Sequence, residues 1–198
     1  MSHFLSVDID YWNLVDNGLD YADAFLDRLA YTAKLQDIPL SAVMNHQQML
    51  PHVSASSART LINIDTHSDL APKGAEVLDC GSWVAYVPWR RQGTYHWIHA
   101  SELRDGDCSL AVYSTPMFRN TGRPAASSDW RSIRHRTTSS LPAVSRLLKD
   151  CSGICVCSSP DYADGDLYEY FTQWRREYNL PYKHGRKNED YGRMLRPS

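Results

Sequence analysis

No apolar run in this sequence reaches the length a membrane-spanning helix needs; charged and turn-forming residues interrupt every hydrophobic stretch first. Excess charge of either sign is lacking too. With 21 Lys and Arg against 23 Asp and Glu, the formal net charge is -2, so no global field recruits nucleic acid or an anionic membrane. Neither is expected as a partner. Cysteine is scarce and unpaired: Cys80, Cys108, Cys151, Cys155 and Cys157 are odd in number and include no CxxC. That argues against a disulfide framework and against a structural zinc site, and buried free thiols are the expectation. The opening stretch MSHFLSVDIDYW meets Asp8 and Asp10 too early for a signal-peptide apolar region. With reduced thiols, this predicts a cytoplasmic location. Internal repeats and a dividing linker are also missing, so residues 1–198 read as one domain.

What is present is an alternation of short apolar runs and helical patterns. Phe4 to Val7 reads as a buried strand. From Asp20, a potential N-cap, Ala22, Phe25, Leu26, Leu29, Ala30 and Ala33 recur at helical spacing. Leu40–Met44 is a second strand, residues 47–58 a helix, and Leu61–Ile64 a third strand. Further strands are expected at Tyr95–His99, Ser109–Tyr113 and Gly153–Cys157, with helices near 141–149 and 165–178. The pattern predicts an α/β fold in three layers, a mainly parallel sheet flanked by helices. Residues 119–140, rich in Ser, Thr, Gly and Arg, read as a long loop, and 183–198 as an exposed tail.

Three of these strands end in metal-ligand chemistry. The first delivers Asp8 and Asp10, the second His46, and the third Asp65, His67 and Asp69. Alternate residues of an extended segment project to one side, so DxD and DxHxD each aim their donors at a common point. In parallel sheets, ligands bind outside the carboxyl ends of the strands. Four carboxylates crowded there would repel one another until a divalent cation, or two, neutralised them. Carboxylates with some imidazole suit Mn(II) better than thiolate-rich sets do, and six donors exceed what one tetrahedral zinc needs.

These motifs resemble the arginase/deacetylase (ureohydrolase) superfamily, in which a histidine precedes a DAHxD-type motif and a separate SxDxD motif completes the site. Here His46 precedes DTHSD by nineteen residues, and SVDID occupies 6–10. In ordinary arginases the second motif follows the first, so the order here is circularly permuted, which is tolerable where termini lie close together. A closer resemblance is to the small peptide arginases of ribosomal peptide natural-product pathways, carried also by NHQQMLPH at 45–52, Cys-Gly-Ser-Trp at 80–83 and SSPDYADGD at 158–166.

The resemblance implies two Mn(2+) ions bridged by Asp8 and Asp65, with His46 and Asp69 completing one shell and His67 and Asp10 the other. It implies hydrolysis of arginine side chains in a ribosomally made precursor peptide, leader and core, to ornithine and urea, through a hydroxide shared by the metals. Asp69 would pass a proton to the leaving amine. Asp161, after the last strand, would pair with the planar guanidinium. Two family features have no counterpart. The histidine that follows DxHxD in arginases is missing from CGSWVAY, leaving His96 and His99 as candidate proton carriers. The loop that grips the free α-groups of arginine is missing as well, in keeping with a peptide substrate. Trp83, Trp89, Trp97 and Trp130 could line a peptide groove or simply fill the core. Arg119, Arg123, Arg131, Arg134 and Arg136 could meet an acidic leader or form a solvated basic loop. The alternatives are an amidinohydrolase for free arginine or agmatine, and a non-catalytic metal- or peptide-binding partner in a biosynthetic cluster.

Overall fold

The computed structural model describes residues 2–56, 58–70, 80–89, 93–100 and 134–180. Its centre is one six-stranded, all-parallel sheet in the order β2-β6-β1-β3-β4-β5. The strands are β1 (His3–Asp8), β2 (Leu40–Val43), β3 (Thr60–Ile64), β4 (Thr94–Ile98), β5 (Arg134–Thr138) and β6 (Cys151–Cys157). The central strands are apolar on both faces because both faces are covered. On one side Leu5, Val7, Ile154 and Val156 pack with α1 (Gly18–Leu35), α3 (Val144–Leu147) and α4 (Gly165–Glu177). On the other, Phe4, Leu61, Cys155 and Cys157 pack with α2 (Leu50–Ala55) and the short 3-10 helix Trp83–Tyr86. The expected three-layer α/β architecture is therefore the one observed.

Local departures have local causes. Helix α1 starts at Gly18, after Asn17 in the left-handed region at φ 54°, and Asp20 sits in its first turn rather than at the cap. A Cβ on residue 18 would lie 2.0 Å from the Trp12 carbonyl oxygen, so the turn closes only around glycine. The helix expected over 47–58 is a 3-10 turn, His46–Met49, running into α2, whose early Pro51 is compatible with a first turn only. The helix expected near 141–149 is a single turn.

The reading of 119–140 as a loop is corrected at its end: Arg134–Thr138 is strand β5, at the sheet's edge among the described residues and paired with β4 through Tyr95↔His135 and Trp97↔Thr137. An edge strand with largely exposed, polar side chains carries no apolar alternation, so the pattern could not reveal it. Residues 119–133 of that segment, with Arg119, Arg123, Trp130 and Arg131, the Ser109–Tyr113 strand and the 183–198 tail lie outside the described residues. Among the described residues, no helix is long and apolar enough to cross a membrane.

Topology creates the crevice. The connection leaving β1 runs through α1 on one face, while the described part of the connection leaving β3, Trp83–Tyr86, lies on the other. Strands β1 and β3 are hydrogen-bonded neighbours, with Val7 opposite Ile64. Adjacent parallel strands whose connections part to opposite faces open a gap at their carboxyl ends. The next residues are Asp8 on β1 and Asp65 just past β3.

Candidate metal centre

All six ligand residues inferred from the sequence converge at this gap. His46 Nδ1 lies 2.7 Å from Asp69 Oδ2, 3.1 Å from Asp8 Oδ2 and 3.2 Å from Asp65 Oδ2. His67 Nδ1 lies 3.2 Å from Asp10 Oδ2 and 3.7 Å from Asp65 Oδ1. These contacts define two donor groups, His46–Asp65–Asp69 and Asp10–Asp65–His67, which share one residue. Asp65 divides its carboxylate between them. Asp8 accepts from the backbone N–H of Asp10 through Oδ1 and faces His46 with Oδ2, so it sits between the groups but leans toward the first.

Surrounding side chains fix these donors. Asp65 is held by Asn63 Nδ2 at 3.1 Å, and Asn63 accepts a 2.6 Å hydrogen bond from Ser6. The His67 backbone N–H donates to Asp65 Oδ1 at 2.7 Å, closing an Asx-type turn that places residue 67 beside residue 65. Trp83 Nε1 donates to Asp69 Oδ2, and its ring lies 5.5 Å from that of His46. Ser159 Oγ donates to Asp8 Oδ2. Asp69 and Ser159 hold left-handed backbones, φ 52° and 39°, the kind of local strain that collects at functional sites.

Burial makes the arrangement electrostatically demanding. Asp8, Asp10, His46, Asp65 and Asp69 are at most 4% exposed. Burial pushes the Asp8 carboxyl well above the usual range, reinforced by the charge of Asp10. Burial does the same to Asp65, reinforced by Asp69. Burial raises Asp69 to about 7. Hydrogen bonds that the His67 ring donates to Asp10 and Asp65 raise it to about 12. Among the described residues the ion-pair partners of these carboxylates are the two imidazoles alone. Buried His46 Nε2 has no hydrogen-bond partner there either. Four buried carboxylates against two imidazoles match a site for divalent cations, which compensate such charge without proton uptake.

The centre opens on one side. The His67 side chain is 43% exposed, and its ring lies 5.6 Å from that of Tyr162, in the turn after β6. Asp161, the preceding residue, is exposed and belongs to neither donor group. His96 lies within β4, paired with Ile62 and Arg136, well inside the strand. His99 follows β4 and bonds the Ala100 carbonyl, with its ring against Trp97. Neither histidine joins the donor groups. Trp83, Trp89 and Trp97 are buried in the core rather than lining an open groove.

Sequence reading did not assign roles to Asn63, Ser159 and Cys157. Asn63 did carry a signal, as a polar residue inside the apolar run LINI. Cys157 gave none, and Ser159 stood only inside SSPDYADGD with no role of its own, because their place depends on β6 inserting between β1 and β2. No protein-family model, no curated protein and no solved structure matches this chain.

Proposed function

We propose that this chain is a binuclear manganese hydrolase that converts arginine side chains of a ribosomally made precursor peptide to ornithine, releasing urea. The observation that carries the reading is the shared carboxylate: Asp65 turns one oxygen to each of two histidine-containing groups, one sealed and one open to solvent. Such a pair matches the division of a two-metal hydrolase between a held position and an accessible one. His46, Asp69 and Asp65 would hold one cation, and Asp10, His67 and Asp65 the other, with Asp8 between them.

When bound, the cations supply a water activated for attack near neutral pH, which a resonance-stabilised guanidinium requires. The chain's own residues do the rest. Asp161, exposed beside Tyr162, pairs with the planar guanidinium at the opening. The water oxygen bonds to the guanidinium carbon, and the bond from that carbon to the side-chain nitrogen breaks. Asp69 takes the proton from the attacking water and returns it to the departing nitrogen, leaving urea and an ornithine amine. The peptide form of the substrate rests on the motif resemblance and on the missing loop for free α-groups. A cytoplasmic location belongs to the same reading, supported by the free thiols of Cys80, Cys151, Cys155 and Cys157.

The test is mass spectrometry of arginine-containing peptides and free arginine incubated with Mn-loaded protein. The reading requires a loss of about 42 Da per processed arginine, the net CH2N2 lost when water is added and urea leaves. Turnover of free arginine alone would point to a small-molecule amidinohydrolase. Metal loading without urea from any substrate would point to a binding partner.

A further inference from the structure

Sheet register brings a sulfur beside Asp8 and His46. Strand β6 lies between β1 and β2, and Cys157 at its carboxyl end is paired with Asp8 on one side and Val43 on the other. The chain reaches His46 three residues beyond Val43. Cys157 therefore stands between the strand ends that supply Asp8 and His46. It shares its face of the sheet with Cys155, Phe4 and Trp83. A donor atom from each of Asp8, His46 and Cys157 lies within 4.8 Å of the others, and all three residues are buried.

We propose that Cys157 is a ligand of the cation held by Asp8 and His46, so that this position is selective for thiophilic divalent metals. The proposal rests on the two-metal reading above and alters what that reading says of the first ion. Cys157 Sγ is 3.3 Å from the Met44 carbonyl oxygen, to which it donates, and 3.3 Å from Ser159 Oγ. Ser159 in turn donates to Asp8. The sulfur thus lies against a hydroxyl that is itself bonded to a metal-ligand carboxylate, and is not isolated in the core. On coordination the thiol proton leaves to solvent and the sulfur lone pair takes its place on the metal.

The two positions then differ in kind. Asp10, Asp65 and His67 offer only oxygen and nitrogen donors, a set that suits Mn(II). Asp8, His46 and Cys157 add a thiolate, which shifts preference toward Zn(II), Co(II) or Fe(II). Cys155, two residues earlier on the same face, hydrogen-bonds with Ser41 and belongs to neither donor group. Two different ions in one centre is the consequence.

Cobalt substitution tests this in the full chain. Loaded with Co(II), the protein should show the near-ultraviolet thiolate-to-cobalt charge-transfer band together with visible ligand-field bands. Cys157→Ser should lose the charge-transfer band and keep the ligand-field bands. Cys80→Ser should keep both, since Cys80 lies by Tyr162 rather than in the donor group. If Cys157→Ser does not fold, X-ray absorption of the Zn-loaded wild type decides, through a sulfur scatterer at about 2.3 Å. Bound Co(II) with no charge-transfer band, or a band that survives in Cys157→Ser, overturns the sulfur ligand and leaves the two-metal reading standing. Failure to bind any of Mn(II), Co(II) or Zn(II) overturns both.

Discussion

Asp65 Oδ2 lies 3.2 Å from His46 Nδ1, and Asp65 Oδ1 lies 3.7 Å from His67 Nδ1, so one carboxylate joins two imidazoles that never touch. Removing it should damage both donor groups, whereas removing a residue belonging to one should damage one. The expected metal content after dialysis is therefore graded. Wild type retains two ions, Asp10→Asn and Asp69→Asn each retain one, and Asp65→Asn retains none. Elemental analysis against protein concentration reads this directly. Equal losses in all three variants would mean a single centre rather than two sharing a bridge.

Proton linkage gives the metal-free chain an unusual pH profile. The Asp69 carboxyl rises from 3.8 to about 7 on folding, chiefly through burial. Between those values the folded chain binds a proton that the unfolded chain has released, so stability falls as pH rises through this window. Asp8 and Asp65, raised by burial and by each other's neighbours, act with the same sign and extend the loss upward. His67, raised to about 12, acts with the same sign: its contribution is full below 6.5 and is lost progressively as pH rises from there toward 12. Metal displaces these protons, so its affinity should increase with pH. Thermal melts of chelator-treated protein should fall from pH 5 to pH 8, less steeply in Asp69→Asn. A metal-free melting temperature that rises over this range would contradict the assignment.

Trp83, packed in the same cluster as Leu70, donates to Asp69, and its ring also faces His46. Trp83→Phe keeps most of the packing and deletes the donor. Loss of a buried hydrogen bond to a carboxylate should cost about 1–3 kcal/mol of stability. Loss of an orienting outer partner should weaken the first cation by roughly 10- to 100-fold, with the second unaffected. Chelator competition monitored ion by ion separates the two effects. Equal weakening at both positions would place Trp83's role in the core alone.

How much of this was legible in the sequence depends on what each residue's position rests upon. Asp8 ends β1 and Asp65 follows β3 directly, so the apolar runs alone place both at one edge. Asp10 on the 3-10 helix and His67 and Asp69 in the turn beyond β3 are aimed by local turn geometry, not by the alternation of an extended segment. His46 needed one more step, the end of β2. Strand β5 was hidden because an edge strand need not be apolar, and its side chains are mostly exposed. The sheet order was hidden for a different reason. Insertion of β6 between β1 and β2 is a long-range pairing, and no local pattern says that Cys157 and Ser159 will stand beside Asp8. The polar residue Asn63 within LINI was the one legible sign that the strand's own side chains would support a site.

Gly18 ties the helix start to the ligands. The 3-10 helix Ile9–Leu14 carries Asp10, and the Trp12 carbonyl within it sits where a Cβ on residue 18 would have to go. Gly18→Ala must therefore move backbone, not a flexible side chain. The expected cost is about 1–3 kcal/mol, typical of overpacking. Because Asp10 moves with the helix, the second cation should weaken more than the first. A thermal melt together with metal stoichiometry checks both. Full metal content with unchanged stability would show that the turn has slack the structure does not display.

Asp161 separates substrate recognition from metal binding. It is exposed and one residue from Tyr162, whose ring lies over His67 at the open side of the centre. It makes no contribution to either donor group. Asp161→Asn removes the charge while preserving shape, so a guanidinium would lose its charge-assisted pairing. Turnover of arginine peptides should fall on the order of 10-fold or more, since hydrogen bonds to charged groups are worth about 1.5–3 kcal/mol. The loss should appear mainly in KM, with metal content and melting temperature unchanged. Metal loss in this variant would instead make Asp161 part of the centre and remove it as the guanidinium partner.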